Sequence, residues 1–488
     1  MAATVQERLA AFRADRYELE RSVLPLATSL DGRRFSFQAS LHGLELQVGG
    51  YARLEAGDSA WLGQVLGLRL EQRELSAVDG APAQIRHARG EGAILDGPDR
   101  PFHDATVRSA TPAEVGAWAA RIAKPRARLD IGDLTLARGL GHELDAAGFD
   151  RHSFLCGQSG SGKTYALGVM LERLLTETDL RLVVLDPNSD FVRLGQVRAG
   201  ADPAEASRYR AVADGIEVHS ATPGVGRRLR LMLRELEPDT QAALLRLDPI
   251  ADGDEYAELA ALLAEERPPS LEALMASKHP DARKLATRVR NLGADRFGIW
   301  AHGEPGSVLD AVEAGGPRCV VVDLGSLPTP QEQSLVAAAV LGRLWRHRQR
   351  RAPVLIVIDE AHNVCPASPG DPLTALATEA AVRIAAEGRK FGLYLLVSTQ
   401  RPQKVHENVI SQADNLVLMR LNSAADAAFA QDVFSFVPPG LVARSATFRL
   451  GEALVAGKNS SHPALLRFGA RIAEEGGSDV PAGWAAAR

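Results

Sequence analysis

Apolar residues form two kinds of pattern along the chain. From about position 33 to 115, short alternating runs are separated by glycine-containing turns, as at 35–39, 44–48 and 61–68. Alternation with a period of two is typical of strands that bury one face. Several such strands in succession predict a small β-barrel.

Later in the chain the apolar runs become continuous, and segments with helical spacing separate them. A continuous apolar run that ends in polar residues is typical of a strand buried on both faces of a parallel sheet. The alternation of such strands with helices therefore predicts an α/β architecture, with a parallel sheet covered on both sides. The predicted strands are 153–156, 180–186, 319–324, 354–359 and 393–398.

A glycine-rich turn joins the first of these strands to a helical segment. It matches the phosphate-binding P-loop pattern G-x-x-x-x-G-K-S/T at every fixed position. Glycines let backbone N–H groups converge on phosphate oxygens, the lysine reaches the terminal phosphates, and the threonine hydroxyl ligates Mg²⁺. The octet predicts that the chain binds ATP and Mg²⁺. Its members are Gly157, Gln158, Ser159, Gly160, Ser161, Gly162, Lys163 and Thr164.

The predicted fold class is an α/β, RecA-like P-loop ATPase domain with a helical insertion and a small N-terminal β-barrel. An amphipathic helix is expected over 1–28 and the barrel over 29–115. The ATPase domain is expected over 116–458, with its insertion at about 195–315, and a C-terminal extension over 459–488.

Composition indicates which class of protein and which cellular compartment to expect. Of 488 residues, 45% are hydrophobic and 24% are charged, which is ordinary for a globular protein. The 3 cysteines are far apart, so neither a disulfide framework nor a zinc site is indicated. No apolar run approaches the roughly 20 residues that span a bilayer. We therefore expect a cytoplasmic protein without a membrane segment. A net charge of −5 means that any DNA contact must come from a local basic surface.

Polar residues at the ends of two later strands add catalytic chemistry. Asp359 and Glu360 follow the 354–359 run, where the first carboxylate would hold Mg²⁺ and the second would polarise the attacking water. Gln400 follows the 393–398 run and would orient that water or sense the γ-phosphate. The alternative is two exposed carboxylates and an ordinary hydrogen-bonded loop.

The order of these motifs resembles the HerA branch of the HerA/FtsK ATPases. The series is the P-loop, 186–191, 357–362, 387–392 and 399–402, and the segment around 49–54 is similar to the N-terminal barrel of that branch. The resemblance covers nearly the whole chain. It implies a ring-forming, typically hexameric, Mg·ATP-driven translocase of duplex DNA, with possible helicase activity, which works with a nuclease or another effector docked on the barrel.

The resemblance also implies an arginine that enters the neighbouring subunit's site. Arg389 is the first candidate and Arg383 the second, although cations at a helix C-terminus are also ordinary. A basic, glycine-containing segment with Arg227, Arg228 and Arg230 is a candidate pore loop that contacts phosphates.

Two remaining sequence features have ordinary structural interpretations. The denser basic run at 346–351 follows a helix and is interpreted as a solvated helix end, and His362 is interpreted as structural. Two rival functions also remain. One is an ATP-gated scaffold that regulates a separate effector, as in anti-phage complexes. The other is a motor of the secretion or conjugation type.

Overall fold

Two β-sheets organise the chain, one closed into a barrel and the other open with 12 strands. The computed structural model describes residues 25–477, apart from 42–43, 76–82, 98, 265–270, 277–279, 302–305 and 314, together with positions 5, 8 and 11. Those three isolated positions are helical. The other residues up to 24 of the helix predicted over 1–28 lie outside the described residues. Residues 26–28, at the end of that prediction, begin a strand instead.

The predicted barrel is confirmed, with the strand order β1-β2-β5-β4-β3-β6. Alternation along β2 turns Phe35 and Phe37 into the barrel core. Gly90 on the neighbouring strand makes room for one of these rings, because a Cβ there would lie 2.2 Å from Cζ of Phe37. The strands are β1 Leu26–Ser29, β2 Arg34–Ser40, β3 Tyr51–Ala56, β4 Ser59–Leu75, β5 Ala83–Ile94 and β6 Phe102–Ser109.

The open sheet has the order β12-β11-β13-β10-β14-β15-β9-β16-β17-β18-β7-β8. Neighbours from β12 to β16 run parallel, and the remaining pairs are antiparallel. Its strands are β7 Arg128–Leu134, β8 Gly141–Asp145, β9 His152–Cys156, β10 Arg181–Asp186, β11 Ile216–Ser220, β12 Arg227–Arg228, β13 Cys319–Asp323, β14 Val354–Ile358, β15 Leu393–Thr399, β16 Ala413–Leu418, β17 Glu452–Gly457 and β18 Ala464–Phe468.

Helices cover both faces of this sheet, as the continuous apolar strands predict. Successive residues of β10 and β14 alternate between two hydrophobic cores: the first includes the helices Pro330–Arg346 and Pro372–Glu387, and the second includes the helix Lys163–Glu177. The helices in the described part of the chain are α1 Pro112–Ile122, α2 Lys163–Glu177, α3 Pro203–Ala213, α4 Pro238–Leu244, α5 Gly253–Leu263, α6 Leu271–Ala276, α7 Pro280–Leu292, α8 Val308–Val312, α9 Pro330–Arg346, α10 Pro372–Glu387, α11 Glu407–Ile410, α12 Ala424–Val433 and α13 Pro439–Ala443.

Two of the predicted segments differ in detail from the structure. The segment at 195–315 carries α3 to α8 but also contributes β11 and β12 to the sheet edge. The segment predicted as an extension from 459 contains β18, which pairs with β17 and β7 inside the sheet. β7 is distant from β18 in sequence, so no local pattern indicates that pairing.

The barrel is attached to the open sheet through a buried polar seam. The Tyr51 hydroxyl lies 2.5 Å from Nε2 of His462, and the Gln64 amide donates to the Pro463 carbonyl at 2.8 Å. Burial lowers the pKa of His462 to about 3, so this ring is neutral at physiological pH. A neutral ring pairs with a hydroxyl without adding an uncompensated charge to the seam.

The chain after β18 returns to the helix that follows the P-loop. Arg471 and Glu172 form a fully buried ion pair, with Nε and Oε1 2.9 Å apart. Gly168 allows this contact, because a Cβ there would lie 2.4 Å from Cζ of Arg471. The Arg471 backbone N–H also donates to the Tyr165 hydroxyl at 2.9 Å. The segment after β18 therefore contacts α2, the helix that follows the P-loop.

Candidate active site

The strands that carry the predicted motifs all end at one edge of the open sheet. β15 lies between β14 and β9, and β10 lies on the other side of β14. Loops that follow the carboxyl ends of parallel strands are the usual ligand sites of α/β sheets. The P-loop, the Asp359–Glu360 pair and Gln400 therefore converge because of the strand order.

The P-loop turns between β9 and α2 with the backbone that its glycines permit. Gly160 and Gly162 have φ values of 71° and 93°, a region that disfavours side chains with a Cβ. Gly157 is required by close packing, because a Cβ there would lie 2.7 Å from Cβ of Met419. Lys163 and Thr164 open α2, so N–H groups of the helix N-terminus face the loop.

Lys163 is buried and paired with both acids of the strand-end motif. Its Nζ lies 2.8 Å from Oδ1 of Asp359 and 3.1 Å from Oε1 of Glu360. It also donates to the Ser398 hydroxyl at 3.2 Å. Burial by itself would lower the pKa of Lys163, but the attraction of Asp359 and Glu360 raises it above the usual value. The ammonium is therefore charged and held at the centre of the site.

Glu360 is held from the other side by Gln400. The Gln400 side-chain amide donates to Oε1 of Glu360 at 2.7 Å, and its backbone N–H lies 3.3 Å from Oε2. Nδ1 of His362 lies 3.3 Å from the same Oε2. Glu360 has a φ of 40°, a conformation that costs a non-glycine residue free energy and is concentrated at functional sites. These polar groups thus hold the Glu360 carboxylate in place at the sheet edge, on a residue whose backbone is strained.

Asp186 and Asp190 extend the acidic surface beside Asp359. Asp186 ends β10 and accepts hydrogen bonds from the backbone N–H groups of Asp190, at 3.0 Å, and Phe191, at 2.8 Å. Burial raises the pKa of Asp186 to about 7. Burial, followed by repulsion from Asp359, raises the pKa of Asp190 to about 6. Sequence reasoning included these residues in the family motif but gave them no role.

The oxygen donors at this edge fit a magnesium ion. Oδ2 of Asp359 is buried and accepts no hydrogen bond within the described part of the chain. Asp359 itself is fully buried, and an ionised carboxylate at such a position needs a cationic or hydrogen-bonding partner. Carboxylate and hydroxyl oxygens are the ligands that Mg²⁺ prefers, so Asp359 and Thr164 suit the roles proposed for them.

Residues after β16 and before β17 also contact the P-loop. Nη2 of Arg420 donates to the Gly160 carbonyl at 3.1 Å. The Asn422 backbone N–H donates to the Gln158 side chain at 3.0 Å, and that of Gly451 donates to the Ser161 carbonyl at 3.1 Å. These contacts were missed in the sequence because they arise from the pairing of β16 with β9.

The two arginines considered for the neighbouring subunit's site, Arg389 and Arg383, lie away from the site of their own chain. Arg389 precedes β15 and therefore lies at the opposite edge of the sheet, where its Nη1 is 2.7 Å from Oδ2 of Asp414. Arg383 is exposed on α10 and pairs with Glu379. Neither side chain joins the site of its own chain.

The basic segment 227–230 lies at the outer edge of the parallel region. Arg227 and Arg228 form β12, are exposed, and line a cavity of about 470 Å³ together with Arg230. Arg227 lies 3.2 Å from Glu217. In the other basic run, Arg348 packs 4.4 Å from the centre of the Trp345 ring.

Comparison with known proteins agrees with the motif order. Residues 129–268 match the family model described as "Helicase HerA, central domain". The chain is therefore similar to HerA-type proteins in this region. It is 28% identical over 193 residues to the DNA double-strand break repair helicase HerA of Sulfurisphaera tokodaii, covering 38% of each chain. Similarity to the Pyrococcus furiosus protein of the same name is 24% over 390 residues, covering 70% of this chain and 69% of that one.

Two solved structures of low sequence identity also align with this chain. VirB4 of Thermoanaerobacter pseudethanolicus aligns with a TM-score of 0.48 and 16% identity, covering 72% of this chain and 98% of that one. The plasmid coupling protein TrwB bound to a GTP analogue aligns with a TM-score of 0.49 and 13% identity, covering 76% and 95%. None of the helices in the described part of this chain has the length and apolar character that a bilayer crossing requires.

Proposed function

We propose that this protein is a HerA-type, ATP-driven DNA motor that hydrolyses Mg·ATP at the sheet edge described above. The observation that carries the proposal is the buried constellation of Lys163, Asp359, Glu360 and Gln400 beside the P-loop. The names of the HerA relatives supply the DNA-directed part of the proposal.

In this mechanism Lys163 exchanges partners when the nucleotide binds. Its ammonium leaves the two carboxylates for the terminal phosphates, where it offsets their negative charge. Thr164 and Asp359 would hold Mg²⁺, which would supply Lewis-acid polarisation of the phosphate oxygens. Glu360 accepts the proton of the attacking water, and Gln400 keeps the Glu360 carboxylate oriented through their 2.7 Å hydrogen bond.

Duplex DNA is the proposed substrate, and ATP turnover at two salt concentrations tests it. We expect duplex DNA to stimulate the wild-type ATPase strongly at about 50 mM salt and much less at about 200 mM, because phosphate contacts release counterions. Arg227, Arg228 and Arg230 are the proposed contacts, and replacing all three with glutamine should reduce the stimulation but not the basal rate. An ATPase rate that is indifferent to DNA would instead favour a scaffold that regulates an effector.

We further propose that the site is shared between subunits of a ring, with Arg389 acting on the neighbour's nucleotide. A guanidinium that stabilises the transferring phosphoryl group is worth about 10³–10⁵-fold in rate. Mixing inactive Lys163→Ala and Arg389→Ala subunits should therefore restore ATPase activity, because some interfaces regain both an intact P-loop and an intact arginine.

The matched control for this mixing experiment is Arg383→Ala in place of Arg389→Ala. Arg383 is similarly exposed and carries its own salt bridge to Glu379. Full activity of Arg389→Ala alone would refute this assignment, and full ATPase activity in a monomer would refute the shared site.

A nuclease or another effector is the proposed partner, and the barrel is its proposed docking surface. Leu30 and Leu70 are 86% and 58% exposed on the barrel, and exposed apolar side chains are frequent at protein contacts. Co-purification of the chain with a candidate nuclease, with and without Leu30→Glu, tests this partner.

A further inference from the structure

Asp186 and Asp359 stand side by side at the ends of neighbouring parallel strands. Leu185 of β10 is in register with Ile358 of β14. The next residues, Asp186 and Asp359, therefore lie at the same edge of the sheet. The turn after β10 then brings Asp190 back to these two carboxylates, since its backbone N–H donates to Oδ1 of Asp186 at 3.0 Å.

One oxygen from each of Asp186, Asp190 and Asp359 lies within 4.8 Å of the other two. Opposite ligands of a bound Mg²⁺ lie about 4.2 Å apart, and Mg²⁺ usually keeps several waters beside one or two carboxylates. The spacing of the three oxygens thus suits a hydrated divalent cation.

An unpartnered atom points to the same conclusion independently. Oδ2 of Asp359 belongs to a fully buried side chain and has no hydrogen-bond partner in the described part of the chain. The Lys163 ammonium donates its hydrogen bond to the other oxygen of this carboxylate, Oδ1. A buried carboxylate oxygen with no donor is costly unless a cation or water satisfies it.

The charge balance at this edge also favours a second cation. The carboxylates of Asp186, Asp190, Asp359 and Glu360 face the ammonium of Lys163, which contacts Asp359 and Glu360. Backbone N–H groups satisfy Asp186 but carry no net charge. In the described part of the chain, Lys163 attracts Asp190 from a distance but donates no hydrogen bond to Asp190 or to Oδ2 of Asp359.

We propose that Asp190, together with Asp186 and Asp359, forms a divalent-cation subsite that binds Mg²⁺ or Mn²⁺ before the nucleotide arrives. The proposal builds on the proposed ATPase function, because a cation held there is next to the phosphate site. It differs from the Mg²⁺ that Thr164 and Asp359 would bind with ATP, since neither a nucleotide nor Thr164 is required.

Mn²⁺ binding to the nucleotide-free full-length chain tests this subsite, with the free-Mn²⁺ electron paramagnetic resonance signal as the readout. Wild type should bind Mn²⁺, and Asp190→Asn should bind it at least about 10-fold more weakly, because loss of even an outer-shell partner of a metal ligand typically costs that much. Mg²⁺ should displace the Mn²⁺. The substitution leaves in place the backbone N–H that caps Asp186, so the turn should persist. The matched control is Asp179→Asn, a fully exposed position whose change should leave Mn²⁺ affinity unaltered.

Two further measurements separate this inference from the ATPase proposal. Lys163→Ala should lose ATP turnover but keep or strengthen Mn²⁺ binding, because an ammonium is removed from Asp359. Mn²⁺ should raise the melting temperature of wild type and not that of Asp190→Asn, as expected for a ligand that binds only the folded state. Equal Mn²⁺ affinity in wild type and Asp190→Asn, or no binding by wild type, would overturn the subsite whatever the ATPase result.

Discussion

Lys163→Ala is expected to reduce ATP hydrolysis by about 10²–10³-fold or more while the chain remains folded. The lysine is the charged donor at the centre of the site, with contacts of 2.8 Å to Asp359 and 3.1 Å to Glu360. Alanine cannot reach the terminal phosphates or offset their charge, so the transition state loses the positive charge of the lysine. The core strands β9, β14 and β15 do not depend on this side chain.

The measurement is the steady-state ATPase rate, with circular dichroism to verify folding. Lys124→Ala is the matched control, because Lys124 is exposed on the connector after α1 and should tolerate the change at the wild-type rate. A Lys163→Ala protein that hydrolyses ATP normally would contradict the assignment of the P-loop as the catalytic nucleotide site.

Glu360→Gln is expected to bind ATP and hydrolyse it about 10²–10⁴-fold more slowly. Glutamine has nearly the same shape, and its carbonyl oxygen can still accept the 2.7 Å hydrogen bond from Gln400. It cannot accept a proton from water, so the chemical step fails while binding persists. The variant should therefore accumulate in a nucleotide-bound state.

Nucleotide binding by a fluorescent ATP analogue and hydrolysis in a single turnover separate these two effects. Glu379→Gln is the matched control, because Glu379 is exposed on α10 and contacts only Arg383 among its described ion-pair partners. If Glu360→Gln hydrolyses ATP at the wild-type rate, another group accepts the proton. If it fails to bind ATP, Glu360 serves the nucleotide pocket rather than the chemistry.

Sequence patterns were sufficient where the signal is local. The P-loop octet specifies its own turn, because Gly160 and Gly162 adopt positive φ values that other residues disfavour. The alternation of Phe35 and Phe37 with polar residues predicted a barrel strand, and the continuous run before Asp359 predicted a buried parallel strand. Each of these patterns lies within a few residues of the element that it describes.

Contacts between distant segments were beyond such patterns. The pairing of β18 with β7 joins residues far apart in the chain and moves part of a predicted extension into the sheet. Arg420 reaches Gly160 only because β16 lies beside β9. Arg389 is placed opposite the P-loop because it precedes β15, whose carboxyl end carries Gln400.

The sequence by itself determined that this chain has the P-loop pattern, a strand-end acidic pair and the alternating strands of a barrel, since each depends on neighbouring residues. Only the tertiary structure decided that Lys163 lies between Asp359 and Glu360, and that Asp186 and Asp190 stand beside them. The physical reason is the order of the parallel strands, which is set by burial and pairing across the whole sheet. That order brings five charged side chains from three separate segments to one edge, where their charges must be balanced together.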